Sequence, residues 1–124
     1  MSKSAIMITA FAAIVCSANL AFAGSCNFKA PPLVMSTNAS VAAEGIMTMD
    51  YSCTFSYKTT KSVVEETIIS SKPKHGILEV VSVNGAKYTP SKGYKGIDTY
   101  SIKYCGSYLG EKGCATYNYT TTVQ

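Results

Sequence analysis

YTPSKGYKGIDTYSIKYC, residues Tyr88 to Cys105, is the stretch that decides the fold. Its second half alternates, with Tyr100, Ile102 and Tyr104 on one side and Thr99, Ser101 and Lys103 on the other. That period of two is the mark of a strand with one buried face. Its first half is a connection. Pro90 withholds an amide donor and ends a preceding strand, while Gly93 and Gly96 permit backbone angles that a Cβ resists. Asp98 is placed to hold the connection by accepting backbone N–H groups, and Tyr94 and Tyr100 supply large apolar bodies to close the end of a core. The order is that of a loop crossing between two sheets and entering a buried strand, so these residues are architectural and need carry no chemistry.

Working outward, ILEVVSV (Ile77 to Val83) and AKYT (Ala86 to Thr89) flank Asn84-Gly85, a dipeptide suited to a two-residue hairpin turn with positive φ at both central positions. Val63 to Ser70 is a β-branched run that suits a strand, and Lys72-Pro73-Lys74-His75-Gly76 breaks it. MTMDYSCTFSY, Met47 to Tyr57, alternates without a fault and predicts one half-buried strand. Its methionines, at strand spacing beside aromatics, read as core rather than as soft-metal ligands. Leu33 to Val41 predicts a first strand after Pro31-Pro32, and ATYNYTTTV a last one with Ala115, Tyr117, Tyr119, Thr121 and Val123 on a common face. About seven short strands, turn signals between them and no helical period predict an all-β antiparallel sandwich.

The run from Pro73 to Tyr100 resembles the bacterial immunoglobulin-like and cadherin-like modules of cell-surface and secreted proteins. The matching residues are Pro73, His75 and Gly76, then Tyr88, Thr89 and Pro90, then Gly93, Tyr94, Gly96, Asp98 and Tyr100. The resemblance implies an immunoglobulin-like sandwich and covers roughly the C-terminal half of the expected mature chain. Such modules sit in long arrays with acidic, calcium-holding junctions, whereas Asp50 and Asp98 are the only aspartates here. Calcium is therefore not carried over, and the cysteines are an addition to the pattern.

Residues 1–23 place Lys3 ahead of an apolar stretch that ends in Ala21-Phe22-Ala23, the form of a secretory signal peptide cut after Ala23. One domain, 24–124, is then expected in the periplasm or outside the cell, without a membrane span, since Ser17 and Asn19 interrupt the apolar stretch and no basic stop-transfer cluster follows it. Cys26, after Ala23-Gly24-Ser25, fits a lipidation box only weakly. In an oxidising compartment Cys26, Cys53, Cys105 and Cys114 imply two disulfides. Alternation carried through Tyr104 turns Cys105 outward, which favours Cys105–Cys114 with Cys26–Cys53. The rival, Cys53–Cys105 across the sheets with Cys26–Cys114, requires a bulge.

Losing Lys3 takes the formal charge from +4 to +3, and the chain has no arginine, so no nucleic-acid partner is expected. The lysines read chiefly as solvated edge and loop residues. Enzymatic activity is not expected either. His75, the only histidine, belongs to the turn, Glu65 and Glu66 point to opposite faces of a strand, and no zinc spacing, phosphate loop or dinucleotide fingerprint calls for a metal or cofactor. Binding is the expected function. If Cys105 and Cys114 are bridged, GSYLGEKG becomes a constrained loop with Tyr108-Leu109 at its centre, either a recognition surface or a lid over the open end of the sandwich. Lys92 and Lys95, beside Tyr94, form a second candidate for an anionic polysaccharide or acidic protein. The expected protein is a binding module for a protein or envelope glycan. The alternatives are a small inhibitor of an extracytoplasmic hydrolase and a structural subunit of a surface assembly.

Overall fold

The computed structural model describes residues 24–124, and the expected signal peptide lies outside the described residues. The strands are β1 (Cys26–Lys29), β2 (Ser40–Met47), β3 (Cys53–Ser56), β4 (Ser62–Ser71), β5 (Gly76–Ser82), β6 (Gly85–Pro90), β7 (Gly96–Tyr108) and β8 (Glu111–Val123). They form a five-stranded sheet in the order β1-β2-β8-β7-β4 and a three-stranded sheet in the order β3-β6-β5. β2 runs parallel to β8, and every other pairing is antiparallel.

The two sheets face each other across a core rich in tyrosine. Tyr88 on β6 stacks on Tyr100 of β7 with ring centroids 4.5 Å apart, and Phe55 on β3 meets Tyr119 of β8 at 4.5 Å. On β7 the inward residues are Asp98, Tyr100, Ile102, Tyr104 and Gly106, so the alternation seen in the sequence is the burial pattern of the strand. A buried phenol needs a polar partner. Tyr100 finds Thr121 Oγ1 at 2.7 Å, and Tyr88 donates to Asp98 Oδ2 at 2.6 Å.

Four local expectations are corrected. There are eight strands among the described residues rather than about seven, because the chain already pairs at Cys26. Of Leu33 to Val41 only Ser40 and Val41 are strand, as the start of β2: Pro31 and Pro32 bring no amide donors, a 3₁₀ turn occupies Met35–Thr37, and Asn38 turns the chain at φ 55°. Met47 to Tyr57 is two strands, since Asp50 at φ 58° breaks the run and the chain passes from the large sheet to the small one. The β5–β6 hairpin forms, but its turn is Val83-Asn84. Gly85 instead lies inside β6, where a Cβ would come within 2.9 Å of the Phe55 carbonyl oxygen. The glycine serves close approach of β3, and Asn84 binds Tyr57 through its own carbonyl and its amide, each at 2.9 Å.

The disulfides are Cys26–Cys53 and Cys105–Cys114. The first joins β1 of the large sheet to β3 of the small one. The second links directly opposed residues of β7 and β8, with Cys105 turned away from the core. Loop-closure entropy makes the first worth about 3.5 kcal/mol and the second about 2.7 kcal/mol. In urea unfolding, Cys26→Ala/Cys53→Ala should therefore lose more stability than Cys105→Ala/Cys114→Ala. The opposite ranking would mean that register in the long hairpin depends on its cross-link.

Candidate functional site

The residues expected to bind lie at opposite ends of β7. Lys95 immediately precedes the strand and Tyr108 ends it, a separation of roughly 40 Å at 3.3 Å per residue. The structure thus offers two separate poles.

At the hairpin pole, the eight residues between Cys105 and Cys114 are not a loop. β7 and β8 stay in register to Tyr108 and Glu111, leaving Leu109-Gly110 as a two-residue turn with φ 51° and 83°. Positive φ at both central positions is the primed hairpin geometry that matches strand twist. Gly110 adopts it freely, whereas Leu109 carries a Cβ into the left-handed region. The tip is fixed from below by the Leu109 N–H, which donates to the Lys61 carbonyl at 3.1 Å. The Leu109 side chain remains 65% exposed, so it is no lid. The Lys112–Glu65 pair on the flank is exposed and adds little.

Beside the tip an open groove of about 610 Å³ runs between the Pro31-Pro32 segment, the β3–β4 loop and Tyr108. Its floor is built by hydroxyls: Tyr117 donates to the Pro31 carbonyl at 2.8 Å, and Tyr57 donates to the Leu33 carbonyl. Burial, and then the neighbouring Tyr57, push the Tyr117 phenol above its ordinary pKa. Lys58 and Lys61 line the rim. Sequence reasoning missed this groove. Tyr57 and Tyr117 alternated as core residues, and the Pro31-Pro32 pair marked only the start of a strand.

At the other pole, Asp98 organises the turn before β5 and the loop before β7. Its Oδ1 accepts the N–H groups of Lys74 and Thr99, each at 3.0 Å, and its Oδ2 accepts the His75 N–H at 3.1 Å and the Tyr88 hydroxyl. His75 stacks on Tyr94 at 4.3 Å with rings 5° from parallel. Gly93 and Gly96 take φ 78° and 139°, and Lys92 and Lys95 are exposed. Pro73, Gly76 and Pro90 complete the two connections. Gly76 pairs with Pro90 at the end of the β5–β6 ladder.

Comparison with models of protein families finds no match, and comparison with curated proteins finds none. No group of three or more His, Cys, Asp or Glu side chains among the described residues is arranged to hold a metal ion. No helix among them is long and apolar enough to cross a membrane.

Proposed function

We propose that the chain is an exported, non-enzymatic binding module of immunoglobulin-like fold that recognises a protein or envelope glycan through the hairpin pole. The observation that carries this is Leu109. Its left-handed backbone costs about 1–2 kcal/mol relative to glycine, and its exposed side chain returns none of that to the core. A partner that buries Leu109 against the adjoining groove accounts for a leucine where asparagine or glycine would suit the turn better. The cross-linked, in-register hairpin also holds the tip ready for binding, which lowers the entropy lost on association.

The strand order supports the immunoglobulin-like assignment. β3-β6-β5 stand in the places of strands B, E and D of a constant-type domain, and β4, β7 and β8 in those of C, F and G. β2 takes the place of a first strand that has moved to pair in parallel with the last one, and β1 is an addition at that edge. Two disulfides accord with an oxidising compartment.

Leu109→Asn separates folding from binding. It should raise stability by about 1 kcal/mol in urea unfolding, because asparagine tolerates the left-handed region. It should also reduce capture of the partner in a cross-linking pull-down from native envelope and culture fluid, as should Tyr108→Ala. Equal capture by Gly24–Gln124 and both variants would exclude the hairpin pole.

Two observations favour other tasks for the same fold. A convex, fixed tip fits a concave enzyme cleft, and as an inhibitor the chain would titrate a hydrolase one to one. β5 is an edge strand without lysine and exposes Ile77, Val80 and Val81, which favours a structural subunit that self-associates.

A further inference from the structure

We infer that the Asp98 pole is a second binding site, specific for an acidic polysaccharide. The inference does not depend on what the hairpin pole binds. Lys72 and Lys74 lie three and one residues before His75, and Lys92 and Lys95 lie two before and one after Tyr94. The His75–Tyr94 stack brings these two connections together, so all four exposed lysines flank one aromatic pair. None of them pairs with a carboxylate among the described residues. The one ion pair among the described residues, Lys112–Glu65, lies at the opposite pole. Asp98 is buried with its oxygens occupied by four hydrogen bonds, and Asp50 on the rim accepts the Gly93 N–H at 2.8 Å.

The pole is built rather than merely charged. The Ser91 N–H donates to the His75 carbonyl at 2.8 Å, the Tyr94 N–H donates to the Ser91 carbonyl at 2.9 Å, and the Tyr94 hydroxyl donates to the Ile97 carbonyl at 2.7 Å. His75 is the exposed layer of the stack and Tyr94 the half-buried one. An exposed ring face between cations offers a platform for the C–H face of a sugar and point charges for its carboxylates or sulfates. The absence of arginine disfavours nucleic acid, whose phosphates and base edges are best met by a guanidinium fork. Ile77 and Ile97, the exposed apolar residues nearest the stack in sequence, sit on strands of different sheets, so they make no common apolar plane for a lipid surface.

The test is titration of Gly24–Gln124 with polygalacturonate at several salt concentrations, beside neutral dextran of matched length, polyglutamate and single-stranded DNA. Polygalacturonate should bind in preference to the other three, with affinity falling as salt rises. Replacing all four lysines by glutamine should weaken it about tenfold or more and flatten the salt dependence. His75→Ala should weaken it about fivefold, because it removes the exposed stacking face. Leu109→Asn should bind like the parent. Polyglutamate or DNA binding as tightly as polygalacturonate, or lysine variants that bind undiminished, would overturn the assignment. Near-ultraviolet circular dichroism of each variant checks that these surface changes leave the core folded.

Discussion

Asp98→Asn should lower the stability of this domain by about 4 kcal/mol, although it changes a single atom from acceptor to donor. Both carboxylate oxygens are saturated: Lys74 and Thr99 N–H groups approach one, and the His75 N–H and Tyr88 hydroxyl approach the other. An asparagine amide turned either way aims its NH₂ at two donors, in a site where Asp98 is only 3% exposed. Turned toward the place of Oδ2, the NH₂ orphans the His75 N–H while the Tyr88 hydroxyl can rotate to accept; turned the other way, it orphans the Lys74 and Thr99 N–H groups. In both cases the charge that strengthened all four bonds is gone. For a domain of this size the loss corresponds to roughly 15–30 °C in Tm. Tyr88→Phe removes one of the four donors and should cost about 1–2 kcal/mol, which sets the scale for the clamp. Urea unfolding of the three proteins measures both effects. A loss below about 1 kcal/mol for Asp98→Asn would mean that water enters and serves the orphaned donors.

The same aspartate marks how far the sequence could be read. That a short carboxylate between Gly96 and an alternating strand would accept backbone N–H groups follows from local chemistry. That two of its donors belong to Lys74 and His75, on another connection, does not, because nothing in the local sequence encodes which loop will lie alongside. Alternation has a similar limit. From Met47 to Tyr57 it continues unbroken through Asp50, where the chain leaves one sheet for the other. Met47 faces the core from the large sheet and Cys53 and Phe55 face it from the small one, so the sequence pattern runs on, although Tyr51 between them is exposed and the hydrogen-bond ladder is broken. The turns misled for opposite reasons. Asn84-Gly85 had the composition of a primed turn, yet Gly85 was needed inside β6 to admit the Phe55 carbonyl. Leu109-Gly110 is a primed turn without that composition, since leucine resists the left-handed region. The groove stayed hidden because the hydroxyls of Tyr57 and Tyr117 reach Leu33 and Pro31 far along the chain, a contact that only the fold creates.

Alkaline pH should unfold the protein abruptly, because the core is built from phenols. Tyr88, Tyr100, Tyr104 and Tyr119 are all nearly inaccessible to solvent, and burial first of all pushes each of their pKa values far above the usual value near 10. Tyr88 is pushed further by the Asp98 carboxylate that accepts its hydrogen bond. Below pH 10 these phenols are neutral in folded and unfolded chains alike, so stability is insensitive to them. Above pH 10 the unfolded chain releases four protons that the folded chain retains, and ionisation therefore favours unfolding. Each withheld proton lowers stability by about 1.4 kcal/mol per pH unit, and four together by roughly 5 kcal/mol per pH unit. Against a total of about 5–15 kcal/mol for a small domain, that slope brings cooperative unfolding within one to three pH units above 10. Phenolate absorbance from the buried rings should rise together with the loss of near-ultraviolet circular dichroism. Tyr104→Phe keeps the ring and deletes one ionisable group, so it should reduce the slope by about a quarter. If the four phenols ionise gradually while the circular dichroism holds, water reaches them in the folded state and the two sheets are not packed as tightly as their rings imply.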